Sequence, residues 1–418
     1  AMVFALLPMA STPGAATDDS PVEVIVRELT PLTDTAEALV GTLGGVVQQN
    51  LHIIGGFTAT VPASMIDTLE ADPSVSAVTP NAGLQLSAAG WTDATGVDPN
   101  PATYNGSVNR VADSILQAPD FWSRDVTGAG IDVALIDSGV VPVNGLTFPG
   151  KVINGPDLSF ESQSDTFRYL DTFGHGTHMA GIIAGRDDGA TISGTGQDFL
   201  GVAPESRIVS IKVAGHDGAT DVSQVIAAID WVVQHRNDNG LNIRVLNLSF
   251  GTDATQSYVL DPLAFAVEQA WNAGIVVVVS AGNDGNDHAL RNPAMDPFVI
   301  AVGASNKGNT RPKIKSVMDF SNCGTDERSD DIVVPGESIA SLTAPGSSAY
   351  DDYPQSVVGG RYMLGSGTSH ATAFISGSAA LILSQRPDLN PDQVKALLME
   401  ISSGRFDRSI DPLCYGAG

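Results

Sequence analysis

The run Gly274-Ile275-Val276-Val277-Val278-Val279-Ser280 offers water no polar side. A strand made from it needs cover on both faces, which fits a parallel sheet between helices rather than a sheet with one wet face. Similar apolar runs recur at residues 131–136, 208–213, 244–249, 298–302 and 332–334. Helical patterns separate them at 175–184, 223–234, 262–273, 369–384 and 391–399. This alternation predicts an α/β domain with a parallel sheet and helices on both faces. Ligands of such sheets bind at the carboxyl ends of the strands.

Four segments place reactive side chains at those ends. Ala134-Leu135-Ile136-Asp137-Ser138-Gly139 carries an acid, and Gly174-His175-Gly176-Thr177-His178-Met179-Ala180-Gly181 carries a base. Gly365-Ser366-Gly367-Thr368-Ser369 carries a hydroxyl, and Ser280-Ala281-Gly282-Asn283-Asp284-Gly285 carries an amide. Serine attacks poorly while it keeps its proton, and a neighbouring imidazole can take that proton. Asp137, His175 and Ser369 supply acid, base and nucleophile in one of the chain orders this chemistry uses. Asn283, with the Ser369 backbone N–H, is the candidate donor pair for a tetrahedral oxyanion. Taken singly, an Asp after a strand is usually a turn residue and Gly-Thr-Ser a helix cap. Their joint occurrence in this order is what carries the reading.

On these motifs, residues of roughly 110–400 resemble the subtilisin-like serine proteases, the subtilases of peptidase family S8. Gly201-Val202-Ala203-Pro204 and the strand after it agree with that likeness. His370 departs from it, standing where the family has Met after the nucleophile, and Thr372-Ala373-Phe374 lacks the family's proline. The resemblance implies a subtilisin-like fold and a serine endopeptidase that hydrolyses peptide bonds through an acyl-enzyme, needing no cofactor for chemistry. It implies polypeptide substrates and a monomer. Gly218, Ala219 and Thr220 on one side, and Ser249, Phe250 and Gly251 on the other, are then the segments that bind an extended peptide by strand addition. Val222, Val225 and Phe250 line one pocket, and Ser280, Gly282, Asp284 and Ala294 wall another. Arg291 stands either at the floor of that pocket or in an ion pair with Asp284. Asp171 either favours basic substrate residues or is a solvated carboxylate. Asp187, Asp188 and Asp198 are the candidate oxygen ligands for a structural calcium ion.

The front of the chain reads differently. Strand, helix, strand, strand, helix and strand follow one another from Val22 to Pro80, the order of a small ferredoxin-like α+β domain. Its order and length resemble the inhibitory propeptide of subtilases, with residues 83–87 lying in the cleft like a product. The expected organisation is a tail or signal-peptide remnant at 1–20, a propeptide at 21–87, a linker with the maturation site at 88–109, and a catalytic domain at 110–418. The chain is then a self-processing zymogen inhibited by its own propeptide. The alternative is a subtilase-fold protein that cleaves only itself and works as a binding or adhesion module.

Charge narrows the partners. Lys and Arg total 21 against 47 Asp and Glu, a net charge of -26. That excess argues against nucleic acid and against an anionic membrane surface. No run reaches the ~20 apolar residues a membrane span needs. Met2-Val3-Phe4-Ala5-Leu6-Leu7 resembles the end of a signal-peptide apolar region without its basic start, and the expectation is a secreted protein. Cys323 and Cys414 leave two readings open, a disulfide holding the C-terminal tail or two separate thiols.

Overall fold

The computed structural model describes residues 19–31, 33–86, 89–98, 100, 103–192, 198–253, 256–307, 316–403 and 412–417. The tail at 1–18 and parts of the expected maturation region, at 87, 88, 99, 101 and 102, lie outside them. The chain divides into two units, one of residues 1–50 and 55–80, the other of residues 51–54 and 81–418. Residues 81–86, read from sequence as the end of the front domain, therefore group with the second unit.

The first unit runs β1 (Pro21–Glu28), α1 (Thr35–Thr42), β2 (Val46–Leu51), β3 (Gly56–Pro62), α2 (Ile66–Glu70) and β4 (Val75–Pro80). Its sheet has the order β2-β3-β1-β4, with β1 antiparallel to both β3 and β4. That is the expected ferredoxin-like order. Alternation along β1 turns Val24 and Val26 into one core with Phe57, Ala59 and Val61, closed by Val40 of α1 and Leu69 of α2.

The second unit opens with short strands β5 (Gly83–Gln85) and β6 (Gly90–Trp91), then α3 (Val108–Ser114) and α4 (Ala118–Trp122). Its main sheet is built from β7 (Asp132–Asp137), β8 (Val152–Asp157), β9 (Arg207–Lys212), β11 (Ile243–Leu248), β12 (Val276–Ser280), β13 (Ile300–Ser305) and β14 (Ile332–Pro335). The intervening β10 (Ala219–Asp221) pairs elsewhere. The seven strands lie in the order β14-β13-β12-β11-β7-β9-β8 and all pair in parallel. Every residue of β7, β12 and β13 is buried, so the sheet is covered on both sides. The crossover helices are α5 (His175–Ala184), α6 (Val222–His235), α7 (Pro262–Asn272), α9 (Thr368–Gln385) and α10 (Pro391–Ser402). Antiparallel strands β15 (Ile339–Leu342), β16 (Val357–Val358) and β17 (Tyr362–Ser366), with α8 (Ser348–Asp352) between, form a smaller sheet that β6 joins.

From β7 the chain builds outward to β9 and β8 on one side, and from β11 to β14 on the other. The carboxyl ends of β7 and β11 therefore flank the point where the strand order reverses, where such sheets bind ligands. Of the two readings of the cysteines, the disulfide is present: Cys323 and Cys414 are bonded, with their Cα atoms 4.1 Å apart.

Candidate active site

Asp137 ends β7 with only 1% of its surface exposed. After β8 and the loop that follows it, the chain returns to that end with His175, the fully buried first residue of α5. Both carboxylate oxygens of Asp137 lie 2.9 Å from His175 Nδ1. Next to an ionised carboxylate Nδ1 carries the proton and donates it, which leaves Nε2 as the basic nitrogen. Among the described residues His175 Nε2 has no hydrogen-bond partner.

Glycine is required at 176, because a Cβ there would lie 2.1 Å from the Gly139 carbonyl oxygen. Ser138 braces the same turn: its hydroxyl donates to Asp171 Oδ1 at 2.7 Å and accepts the Gly176 N–H at 3.0 Å. Asp171 also accepts the N–H groups of Gly174 at 2.6 Å and Thr177 at 2.7 Å. Both readings of Asp171 are therefore corrected. It is neither a pocket wall for basic substrates nor a solvated carboxylate, but a buried bracket that caps the start of α5.

Burial by itself disfavours the His175 imidazolium. The charge of Asp137, its hydrogen bond and the charge of Asp171 outweigh burial and hold the pKa above the ordinary histidine value. His178 and His370 show the opposite balance. Burial, reinforced by charge on neighbouring histidines, pushes His178 down to about 3 and His370 well below the usual range. Their rings meet edge to face at 4.9 Å, and Trp91 closes on His178 at 5.5 Å. The His370 ring lies 6.3 Å from that of His175. His370 thus packs as a neutral ring behind the base.

Ser369 is the second residue of α9 and is fully buried. It sits at the positive end of an 18-residue helix, which favours developing negative charge. Asn283, just beyond β12, is anchored on the same turn: its Oδ1 accepts the Thr368 N–H at 2.8 Å and the Thr368 hydroxyl at 3.1 Å. That use of Oδ1 assigns the amide NH2 as the donor end. Thr368 was not singled out from sequence, although its place inside Gly-Thr-Ser at a helix start was the available signal.

The strand-addition residues separate into two kinds. Ala219, Thr220 and Asp221 pair antiparallel with Gln85, Leu84 and Gly83, and the ladder extends through Leu86 N–H to Gly218 O at 2.9 Å. Ser249 and Phe250, past the end of β11, are buried, and Gly251 packs against Arg291, where a Cβ would come within 2.7 Å of the arginine Cβ. Val222 and Val225 are also buried. Arg291 forms the ion pair left open from sequence: it reaches both oxygens of Asp284 at 2.6 Å and Asp253 at 2.9 Å.

Of the candidate calcium ligands, Asp187 is already engaged. Both Asp187 oxygens face the Arg361 guanidinium, and one also accepts the Phe199 N–H at 2.9 Å. Asp198 contributes charge to the same guanidinium. A carboxylate already neutralised by arginine is a poor ligand for a hard cation. Among the described residues no group of three or more His, Cys, Asp or Glu side chains is placed to hold a metal.

The model of the Subtilase family, peptidase S8, matches residues 128–418. The chain belongs to the subtilase family. It is 38% identical to Serine protease AprX of Bacillus subtilis over 303 residues, 71% of this chain and 66% of that one. It is 32% identical to Subtilisin E of the same species over 355 residues, 84% of this chain and 76% of that one. Minor extracellular protease Epr, also from Bacillus subtilis, is 29% identical over 84% of this chain. The subtilase described here spans less than two thirds of the first and last of these, 66% of AprX and 46% of Epr. A solved structure, a cold adapted subtilisin-like serine proteinase, superposes with a TM-score of 0.51 at 30% identity, covering 68% of this chain and 86% of the other. The subtilisin-like α/β fold that the resemblance implied is thereby shown.

Proposed function

We propose that this subtilase is a secreted serine endopeptidase made as a self-processing zymogen. The observation that carries the reading is the buried Asp137–His175 contact, with the His175 ring 6.3 Å from that of His370, the residue after Ser369. Ser369 is the nucleophile on the scissile carbonyl, and His175 Nε2 takes its proton as the bond forms. Asp137 fixes the tautomer and stabilises the imidazolium, and His175 then returns the proton to the leaving amine. The Asn283 amide and the Ser369 backbone N–H stabilise the tetrahedral oxyanion. The acyl-enzyme is released by water along the same route.

Residues 21–87 act as propeptide, 88–109 hold the maturation site, and 110–418 form the catalytic domain. Support comes from β5, which lies along β10 as a cleaved peptide would lie in the groove. The likeness to the extracellular protease Epr and the Cys323–Cys414 disulfide both fit a secreted protein. No described helix is long and apolar enough to cross a membrane.

The test is incubation of the purified chain beside Ser369→Ala, with a fluorophosphonate label on both. The parent should split into pieces of about 9 and 34 kDa by proportion of length, and the larger piece should carry label and hydrolyse peptides. The variant should stay whole and unlabelled. Self-cleavage without peptide hydrolysis would favour the binding-module alternative, and an uncleaved, unlabelled parent would end the proposal.

A further inference from the structure

We infer that Asn322 is a positioning residue for the oxyanion amide, an inference that rests on the function proposed above. Asn322 is 1% exposed and lies in the segment Phe320-Ser321-Asn322-Cys323, far along the chain from Asn283. Its contacts bracket Asn283 from both sides. On the near side the Asn322 N–H donates to Gly282 O at 3.3 Å. On the far side the Asp284 N–H donates to Asn322 Oδ1 at 2.7 Å. The amide NH2 then donates to Ala289 O at 2.7 Å and to Asp284 Oδ2 at 3.2 Å. Both ends of the Asn322 amide are thus satisfied, as a buried polar group requires.

Gly282 shows how closely the bracket fits. It sits at φ +119°, and a Cβ there would fall 2.7 Å from Asn322 Nδ2. The backbone therefore lies flat on the face of the Asn322 amide. Asn283 is held between two anchored peptide units while Thr368 holds its Oδ1. An oxyanion donor works by being in place before charge develops, so a bracket on its backbone acts on turnover more than on substrate binding. Asn322 itself touches no reacting atom. Its neighbour Cys323 is bonded to Cys414, which fixes the segment from its other end.

The experiment is a double-mutant cycle on the mature enzyme with a peptide amide substrate, using Asn322→Ala, Asn283→Ala and the double variant. Asn322→Ser serves as a second variant: like Asn322→Ala it keeps the main-chain bond to Gly282 and loses the amide, but it leaves a polar side chain. Thermal melts establish the folded fraction, and kcat is expressed per folded molecule. We expect Asn322→Ala to lower kcat about tenfold with KM changed less than about twofold, a fraction of what losing the donor itself costs. Asn322→Ser should move kcat in the same direction. In the Asn283→Ala background, removing Asn322 should change kcat less than about twofold, because the group it positions is gone. An equal loss in both backgrounds, or unchanged kcat in both single variants at 322, overturns the inference while leaving the proposed function standing. A parent with no activity and no labelled Ser369 overturns both.

Discussion

The state of one nitrogen governs the chemistry. His175 accepts a proton only when neutral, and Asp137 and Asp171 raise its pKa above the ordinary value of 6.5 against the pull of burial. A raised pKa means that the proton is held to higher pH, so the base is lost earlier as pH falls. The acid limb of kcat/KM, which reports the free enzyme, should have its midpoint above 6.5. A pH–rate profile with a midpoint at or below that value would contradict the assignment. His178 and His370 act on stability with the opposite sign. In the unfolded chain their imidazoles protonate near 6.5, whereas in the fold they stay neutral, His178 down to about 3. Below 6.5 the unfolded state therefore binds protons that the folded state refuses, and stability falls as pH drops through that window. Each such group contributes a slope of about 1.4 kcal/mol per pH unit. His370→Met replaces one of them with an apolar side chain of comparable bulk. Urea titrations between about pH 6 and 4 should show its stability falling less steeply than the parent's by about that slope. Parallel slopes would mean that His370 is already protonated in the fold.

Among the elements, β5 makes a separable claim. The ladder runs from Val222 N–H to Ala82 O at 3.1 Å and from Leu86 N–H to Gly218 O at 2.9 Å. Bonded pairs alternate in an antiparallel ladder, so Leu84 and Thr220, halfway between, are also a bonded pair. A free peptide of residues 81–86 should inhibit the mature enzyme competitively. N-methylation at Leu84 removes one donor and should weaken inhibition about tenfold, the worth of one well-made bond. Equal inhibition by both peptides would show that side chains, not the ladder, hold the segment.

The same scale explains what was legible in the chain. α5 occupies the residues expected of it, and α9 differs by a single residue at each end, because glycine punctuation and small apolar residues are local signals. β8 was missed. Its sequence Val-Ile-Asn-Gly-Pro-Asp contains two strand breakers, and it pairs with β9 only across an irregularity between Asn154 and Asp157. Within the site, Asp137 and His175 were readable because each ends or begins an element with a strong pattern. Nothing local in Tyr169-Leu170-Asp171-Thr172 reports that the N–H groups of Gly174 and Thr177 and the Ser138 hydroxyl converge on Asp171. The Arg291–Asp284 pair was left open because the length of the intervening loop does not set its register. Asn322 carries no local signal at all, since its role exists only once β12 and the segment after β13 lie side by side.

At the scale of the molecule, the tail is tied back to the body of the second unit. The Cys323–Cys414 bond closes a loop of 91 residues. Val317 and Val333 pack around it with Tyr415, and the Ala417 N–H donates to Asp331 O at 3.0 Å. Cross-linking so long a loop removes conformations mainly from the unfolded chain, and its loss typically costs about 2–4 kcal/mol. Cys414→Ser should therefore lose that much unfolding free energy and unfold at lower denaturant, and a reductant should destabilise the parent while leaving the variant unchanged. The net charge of -26 supplies a control that separates this effect from electrostatics. Repulsion within so acidic a fold is screened as salt rises from about 0.05 to 0.5 M, because the Debye length shrinks well below the size of the protein. Both proteins should gain stability over that range. The difference between them should not move, since a covalent constraint on the unfolded chain is indifferent to ionic strength. Equilibrium denaturation of the pair at the two salt concentrations measures both quantities. A gap that closes at high salt would mean that the bond works by holding acidic segments together against their charge, not by limiting the unfolded chain.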